Sequence, residues 1–446
     1  MKGYDGMKIG MVSLGCPKNL TDSETMLGLL NERGYEIVGD VSEAEIIIVN
    51  TCGFINDAKQ ESIDTVLEMA EYKKKNCKRL IMTGCLAERY HNDIMTELPE
   101  VDAVVGTGDY YKICEVIDGV MNGEKPCLFG NQNEAVPEGL ARITATPSYT
   151  AYIKISDGCD NNCTYCAIPK IRGKYRSRKI EDILAEAKEL AENGVKELIL
   201  IAQDTTRYGK DIYGRYSLDR LLKELCRIES LHWIRLHYFY PEAVTEDVLD
   251  IMAKEDKICK YIDMPIQHIN DDVLRRMARR TDSLDIKKKI EQIREKMPDA
   301  VIRTSLISGF PGEDEKAHRQ LYDFVKEYKL DRVGVFAYSQ EEDTVAAQFP
   351  EQLSEEIKEA RAEEIMQLQR EISLEKNKAR LGTVLEVLCE GYDEENYMYY
   401  GRSYADSIDI DSKVYFASED EVEIGSFVKV EILDCDEYDL TGKEVL

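Results

Sequence analysis

Short apolar runs alternate with charged helical stretches along most of this chain, and that alternation is what most restricts its fold. Strands separated by helical segments form parallel sheets. In the first part of the chain the predicted strands are KIGMVSLG (8–15), EIIIVN (45–50), RLIMTG (79–84) and VDAVVG (101–106). They are short, aliphatic and followed by turn residues. We therefore expect residues 1–138 to form an N-terminal α/β domain with a parallel sheet.

A second alternating region follows a linker rich in Gly, Pro, Asn and Thr at 130–148. Its six predicted strands are YIKIS (152–156), KELILIAQD (196–204), HWIRLHYF (232–239), YIDMPIQ (261–267), AVIRTSLIS (300–308) and VGVFAYS (333–339). Helical stretches such as 180–194 and 271–280 separate them. This order favours a parallel barrel or part-barrel over residues 139–380, and the charged helix at 354–382 is its connector to the next domain.

The last part of the chain changes character. Short strands are predicted at 384–392, 397–403, 413–418 and 426–434, with a possible fifth, and acidic turns lie between them. This pattern is typical of a small all-β module, and we expect a small antiparallel β-barrel at residues 381–446.

The charge of the chain restricts its partners. The 58 Lys and Arg face 86 Asp and Glu, a net charge of −28. Nucleic-acid affinity depends on neutralising phosphates, so this balance favours a basic partner, with solubility alone as the alternative. The chain has no run of 18 apolar residues and no apolar leader, so we expect a cytoplasmic protein without a membrane partner.

Three of the thirteen cysteines form the motif C-x-x-x-C-x-x-C directly after the first barrel strand: Cys159, Cys163 and Cys166. A zinc knuckle is the plainer interpretation, but structural zinc takes four ligands and no fourth Cys or His lies nearby. Three thiolates on an iron–sulfur cluster leave one iron open to another ligand. We therefore predict a cluster.

Three further cysteines share no short motif, yet each follows a predicted strand: Cys16, Cys52 and Cys85. Ligands of open α/β folds bind beyond the carboxyl ends of parallel strands, so these three side chains are expected to meet there. The alternative is three separate core cysteines. The other seven are interpreted as structural: Cys77, Cys114, Cys127, Cys226, Cys259, Cys389 and Cys435.

The barrel motif, with Tyr165 before its last cysteine, resembles that of the radical S-adenosylmethionine superfamily. The resemblance implies a 4Fe–4S cluster that binds S-adenosylmethionine at its open iron. Reduction then cleaves the cofactor to methionine and a 5′-deoxyadenosyl radical. Such a radical is needed because an unactivated C–H bond is beyond ordinary acid–base chemistry. Cofactor contacts are expected at Tyr165 and at the predicted strand ends, where Gln203, Asp204, Gln267 and Gly309 lie.

The two cysteine triads together resemble the methylthiotransferases, which combine an N-terminal cluster domain, a radical barrel and a C-terminal TRAM module. Matching strings span the chain and include SLGCPKNLTDSE (13–24), NTCGFI (50–55), GCDNNCTYCAIPKIRGKYRSR (158–178) and GRSYADSIDID (401–411). The tRNA-directed members typically carry glutamine in place of Pro17 and asparagine in place of Asp204. The resemblance therefore implies the protein-directed branch. It also implies two 4Fe–4S clusters, all six motif cysteines as ligands, and no assigned catalytic side chain.

That branch adds a methylthio group to the β-carbon of an aspartate in the decoding-centre protein of the small ribosomal subunit, ribosomal protein S-twelve. An electron donor and a sulfur source are also implied. Residues 380–446 hold 5 Lys and Arg against 18 Asp and Glu, a net −13. A TRAM module that binds RNA should be basic, so this one is predicted to dock the basic ribosomal protein, and tRNA is not the expected partner. The alternatives are a tRNA adenosine methylthiotransferase, an electron-transfer or cluster-carrier protein, and a zinc scaffold.

Overall fold

The computed structural model describes residues 6–445, and it begins with a six-stranded parallel sheet in the order β2-β1-β3-β4-β5-β6. The strands are β1 (Lys8–Ser13), β2 (Glu36–Val38), β3 (Ile46–Thr51), β4 (Arg79–Gly84), β5 (Ala103–Val105) and β6 (Cys127–Leu128). The helices are α1 (Pro17–Glu32), α2 (Asn56–Glu71), α3 (Cys85–Arg89), α4 (Ile94–Glu97) and α5 (Ile113–Met121).

The central strand β3 shows why this sheet carries helices on both faces. All six of its residues are buried. Ile46 and Ile48 pack into one core with α1 and α5, whereas Ile47 and Val49 pack into a second core with α2. Side chains alternate between the faces of a strand, so a continuous aliphatic run serves two layers at once. The parallel α/β domain predicted from the sequence is confirmed.

The second region is a part-barrel of six parallel strands. Its strands are β7 (Thr150–Lys154), β10 (Glu197–Ile201), β11 (Trp233–Leu236), β12 (Tyr261–Asp263), β13 (Val301–Ser308) and β14 (Arg332–Ala337), and a small hairpin pairs β8 (Ser156–Asp157) with β9 (Arg176–Ser177). The helices are α6 (Ile168–Arg172), α7 (Ile180–Glu192), α8 (Lys210–Tyr213), α9 (Leu218–Leu225), α10 (Glu246–Lys254), α11 (Asp271–Arg276), α12 (Ser283–Lys296), α13 (Glu315–Tyr328) and the long α14 (Glu355–Lys378).

The last region is a closed barrel in the order β15-β16-β17-β19-β18. Its strands are β15 (Val384–Asp393), β16 (Met398–Ser403), β17 (Val414–Ala417), β18 (Phe427–Cys435) and β19 (Leu440–Val445). We expected an antiparallel barrel, but β17 and β19 pair in parallel. Five strands cannot alternate direction all the way around a closed barrel, so at least one neighbouring pair must be parallel.

A segment of this small barrel, residues 402–411, inserts into the amino-terminal end of the part-barrel. We call it the plug. Asp406 pairs with Arg332 at 2.6 Å, and the Tyr261 hydroxyl donates to Asp411 at 2.6 Å. Both partners are the first residues of their strands. Ile408 packs inside the part-barrel beside Ile199. The end opposite to the plug therefore remains for ligands.

Candidate functional site: two facing cysteine triads

The N-terminal triad forms where three neighbouring strands end. Cys16 caps α1 after β1, Cys52 follows β3, and Cys85 begins α3 directly after β4. Backbone at the end of β1 lies against Cys52, because a Cβ added at Gly15 would be 2.8 Å from the Cβ of Cys52. Gly84 has a φ of 95°, which favours glycine at this turn. All thirteen cysteines of the chain are free thiols.

The thiols of this triad influence one another electrostatically. Although burial alone would raise it, the charges of Lys18 and Arg172 hold the pKa of Cys16 below its usual value. Burial, with smaller contributions from Cys16 and Cys52, raises the pKa of Cys85 to about 12. Thiolates rather than thiols bind metal, so loading an iron cluster here would release protons.

The second triad lies in the loop between β8 and α6. The backbone amide of Asn161 donates to the Cys159 sulfur at 3.4 Å, and Arg279 Nη1 lies 3.9 Å from the Cys163 sulfur. Burial and the neighbouring thiols raise the pKa of Cys166 to about 12. The cation of Arg279 and the amide donor of Asn161 would both stabilise negative charge on the sulfur atoms of this triad. The triad therefore suits a cluster bound by thiolates.

The two triads are adjacent. Cys85 of the first triad packs against Ala167 and Ile171, and Ala167 directly follows Cys166 of the second triad. Arg172 Nη2 lies 3.7 Å from the Cys85 sulfur. The loop that carries the barrel motif and the helix α6 that follows it therefore form one wall of the N-terminal triad.

A buried ion network fixes this arrangement. Arg172 Nη1 lies 2.9 Å from Asp22 of α1 and 3.2 Å from Asp157 of the barrel, and Lys154 pairs with the same two carboxylates. Although burial opposes it, the adjacent Lys154 and Arg172 hold the pKa of Asp157 far below its usual range. Because breaking a buried ion pair leaves an uncompensated charge, this network ties α1 to the barrel.

Sequence reasoning missed this network, although a signal existed. From the sequence alone, Arg172, Arg176 and Arg178 form a basic island beside the barrel motif, which could pair with the cofactor carboxylate or the target aspartate, with a solvated loop as the alternative. The structure already pairs Arg172 internally, and Arg178 binds Glu138 and Glu186. The overlooked signal was Lys154, a charge in the middle of an otherwise apolar predicted strand.

The five residues predicted to contact the cofactor lie around the carboxyl end of the part-barrel. Asp204 accepts a hydrogen bond from Asn161 at 3.1 Å, which connects it to the cysteine loop. The ring of Tyr165 lies 6.4 Å from that of Phe310, the neighbour of Gly309. Gln267 has a φ of 69°. Such strain in a non-glycine residue is concentrated at functional sites.

Several buried polar atoms at this end have no partner within residues 6–445: Gln203 Oε1, Arg279 Nε, Thr281 Oγ1 and Ser308 Oγ. Buried polar groups are nearly always hydrogen-bonded, so these atoms suit a polar ligand. S-adenosylmethionine, with an amino group, a carboxylate and a ribose, is a ligand of this kind. The residues present therefore fit the cofactor.

The zinc-knuckle alternative gains no support from the described residues. Over residues 6–445, no three His, Cys, Asp or Glu side chains are placed so that they could hold one metal ion together. A single zinc ion needs all its sulfur ligands about 2.3 Å from the metal, whereas in an iron–sulfur cluster each thiolate binds a different iron.

Three known families match successive parts of the chain. Residues 8–106 match a family described as Uncharacterized protein family UPF0004, residues 153–325 match the Radical SAM superfamily, and residues 381–445 match the TRAM domain. With two cysteine triads at the facing ends of two sheets, these matches define a radical SAM protein with a TRAM domain. The superfamily supplies S-adenosylmethionine and one 4Fe–4S cluster as cofactors.

Curated relatives then identify the branch. The chain is 52% identical over 437 residues to the ribosomal protein uS12 methylthiotransferase RimO of Clostridioides difficile, and 98% of each chain is covered. It is 52% identical to the RimO of Acetivibrio thermocellus and 51% to that of Clostridium botulinum, again over 98% of each chain. The chain belongs to the RimO family of methylthiotransferases.

Solved structures confirm the fold. The radical S-adenosylmethionine methyltransferase TsrM of Kitasatospora setae matches with a TM-score of 0.56 at 13% identity, over 74% of this chain and 75% of that one. The cobalamin-dependent radical enzyme OxsB matches with a TM-score of 0.50 at 12% identity, over 80% of this chain and 56% of that one. No helix of the described residues is long and apolar enough to cross a membrane.

Proposed function

We propose that this protein adds a methylthio group to the β-carbon of an aspartate in ribosomal protein uS12, using one 4Fe–4S cluster on each triad. The observation that carries the proposal is the contact of Cys85 with Ala167 and Ile171. Through this contact the N-terminal triad lies beside the barrel triad. Generating the radical would need only the three cysteines of the barrel triad, so the N-terminal triad is available for a second role. A second cluster here would hold sulfur within reach of a substrate radical.

Each triad then has its own role. Cys159, Cys163 and Cys166 hold the cluster on which S-adenosylmethionine is reduced to a hydrogen-abstracting radical. Cys16, Cys52 and Cys85 hold the cluster that carries the sulfur to be transferred. One cofactor molecule donates the methyl group, and a second accepts the hydrogen atom of the β-carbon. A sulfur source and an electron donor, both from outside the chain, complete the balance.

The residues around the cofactor orient it and exclude water. Gln203 is held by its amide against Asp157 at 2.9 Å, which leaves its carbonyl oxygen free for a donor on the cofactor. Asp204 is fixed by Asn161 and by Thr206 at 2.6 Å. Since Asn161 also donates to Cys159, cluster and cofactor contacts belong to one hydrogen-bonded unit.

The TRAM domain supports a basic protein as the substrate. Its turns expose acidic side chains together with apolar ones: Glu394, Glu395 and Tyr397 between β15 and β16, and Glu419, Asp420, Glu421, Glu423 and Ile424 between β17 and β18. Tyr397 is 78% exposed. Acidic turns with exposed apolar side chains attract a cationic protein and repel the phosphates of tRNA. A ribosomal substrate also suits the cytoplasmic location expected from the sequence.

The test uses the reconstituted enzyme with a sulfide source, a reductant and S-adenosylmethionine, offered either small ribosomal subunits or tRNA. We expect mass spectrometry to find a methylthio group on an aspartate of uS12 and none on tRNA. The Cys163→Ala variant is the matched control and should lose all activity. Modified tRNA with unmodified uS12 would instead identify a tRNA methylthiotransferase.

A cluster carrier is distinguished in the same reaction. It would contain redox-active iron but would not form 5′-deoxyadenosine when it is reduced with the cofactor. Chromatography of the small-molecule products detects that compound directly. Its absence from wild-type protein with full iron and sulfide content would refute the enzymatic function.

A further inference from the structure

Most of the buried cations in the described residues are ion-paired. Six Lys and Arg side chains are buried: Lys18, Arg172, Arg235, Arg279, Lys358 and Arg402. Four of them have a carboxylate at ion-pairing distance. Among the described residues, Lys18 and Arg279 have none, and both lie next to a cysteine triad.

Arg279 belongs to the cofactor side of the site. Its guanidinium lies 3.9 Å from the Cys163 sulfur, donates to the Pro265 carbonyl at 2.9 Å, and covers the ring of Tyr240 at 4.5 Å from the centroid. Its surroundings are therefore set by the triad that holds the radical cluster.

Lys18 is the less expected of the two. It is 8% exposed, and its ammonium lies 3.6 Å from the centroid of the Tyr238 ring. It is also the second residue of α1, where the helix dipole disfavours a cation. A buried charge at the unfavourable end of a helix needs a counter-charge. Within residues 6–445 no carboxylate lies at ion-pairing distance, and the acidic groups beside the ammonium are the Tyr238 hydroxyl and the Cys16 thiol.

The tyrosine beneath Lys18 is held in a strained conformation. Tyr238 has a φ of 63°. Its amide donates to Asp263 at 3.1 Å, and its carbonyl accepts from the Thr205 amide at 3.1 Å. Two residues later Tyr240 faces Cys163. The segment 238–240 therefore spans the space between the triads, with Lys18 over one tyrosine and Arg279 over the other.

We propose that Lys18 binds the side-chain carboxylate of the substrate aspartate. The inference rests on the proposed function and names the group that selects its target. The β-carbon of aspartate is bonded directly to the carboxyl carbon. An ammonium that holds the carboxylate therefore also places the β-carbon between the radical side and the sulfur side of the site. Lysine suits this role because it binds a carboxylate as a compact point charge.

The experiment measures binding to the cofactor-loaded holoenzyme under anaerobic conditions. A fluorescent peptide that contains the target aspartate of uS12 is compared with the same peptide carrying asparagine. For the wild type we expect at least about a tenfold preference for aspartate, as for a charge-assisted contact. In Lys18→Met the preference should fall to about one, and in Lys18→Arg part of it should return.

The matched control is Lys223→Met, the same change on an exposed residue of α9 that pairs with Asp219 at 3.3 Å. It should keep the full preference. Affinity for S-adenosylmethionine and the electron paramagnetic resonance of the cluster on Cys159, Cys163 and Cys166 should be unchanged in Lys18→Met, which also shows that the variant is folded.

Two results would overturn the inference. One is an aspartate preference that survives in Lys18→Met. The other is a loss of cofactor affinity or an altered cluster spectrum with the preference retained, which would assign Lys18 to the cofactor or to the cluster. A wild-type enzyme that binds the peptide but never methylthiolates it would instead contradict the proposed function, so the two failures are distinguishable.

Discussion

Cys85 shows how one residue connects two halves of the chemistry. It begins α3 at the end of β4, and its side chain packs on the helix that follows the barrel triad. Arg172 contacts it from the barrel side. The Cys85 thiol therefore follows a strand of the N-terminal sheet in the sequence, but it contacts the helix next to the barrel triad.

At this scale we predict that Cys85→Ala abolishes methylthio transfer and retains cofactor cleavage. The substitution removes one ligand of the proposed sulfur-carrying cluster but leaves Cys159, Cys163 and Cys166 intact. Chromatography should detect 5′-deoxyadenosine at a rate within a few-fold of wild type, with no modified uS12. If Cys77→Ala, a buried cysteine outside both triads, has the same effect, the assignment of ligands is wrong.

The residue scale also shows what sequence reasoning could reach. The role of the six cysteines as cluster ligands remains a prediction, but the two triads were found because each has a simple relation to predicted strands. Lys18 and Arg279 were not, since a charge without a partner can be recognised only when all neighbouring side chains are placed. Glu197 and Arg235, charges inside apolar strands, were visible in the sequence and were overlooked.

At the scale of elements, the acidic turn between β17 and β18 is the clearest candidate for substrate contact. Its acidic side chains are exposed, and among the described residues none is ion-paired. A turn that leaves its charges unpaired attracts a distant basic partner through a field that salt screens.

We therefore predict that E419Q/D420N/E421Q raises the KM for ribosomal substrate several-fold at low salt, with little change in kcat. The effect should shrink as salt increases. The matched control is E359Q/E363Q/E371Q, which removes three exposed charges from α14. Equal effects of the two variants in steady-state kinetics would show that overall charge, and not this turn, recruits the substrate.

Elements were predictable where they are long and regular. All ten predicted strands of the first two domains overlap observed strands, because buried parallel strands are continuous aliphatic runs. The sequence missed β2 and β6, which have three and two residues. Such short edge strands leave too little pattern to detect. The boundaries assigned to the three domains remain a prediction.

At the scale of the whole molecule, buried charges fasten the TRAM domain to the barrel. Glu197, the first residue of β10, accepts from Arg235 at 2.8 Å and from Arg402 of the plug at 2.6 Å. All three side chains are almost fully buried. Trp233, the only tryptophan of the chain, packs on Phe427 of β18 at the same junction, 4.7 Å between ring centroids.

This junction should be sensitive to acid. Although burial opposes it, Arg402 and Arg235 lower the pKa of Glu197 from 4.5 to about 2. A carboxyl with a lowered folded-state pKa contributes stability above its unfolded pKa and loses that contribution as the pH falls. We predict that the junction weakens between about pH 4.5 and pH 2, which the fluorescence of Trp233 during urea denaturation would report.

Glu197→Gln should lower the free energy of unfolding at pH 7 by about 3–5 kcal/mol, because two buried arginines lose their counter-charge. It should also remove part of the acid dependence. The control is Glu224→Gln, which breaks a surface pair with Arg227 and should cost less than about 1 kcal/mol. Unfolding curves of Glu197→Gln that match wild type would contradict the role of this cluster.

The plug also limits how such enzymes can be recombined. Because residues 402–411 reach into the barrel, the TRAM domain cannot be exchanged for another simply by joining the chains at the end of α14. A chimaera with a foreign TRAM domain would place an unmatched segment against Glu197, Tyr261 and Arg332. The TRAM domain and the amino-terminal end of the barrel must therefore change together.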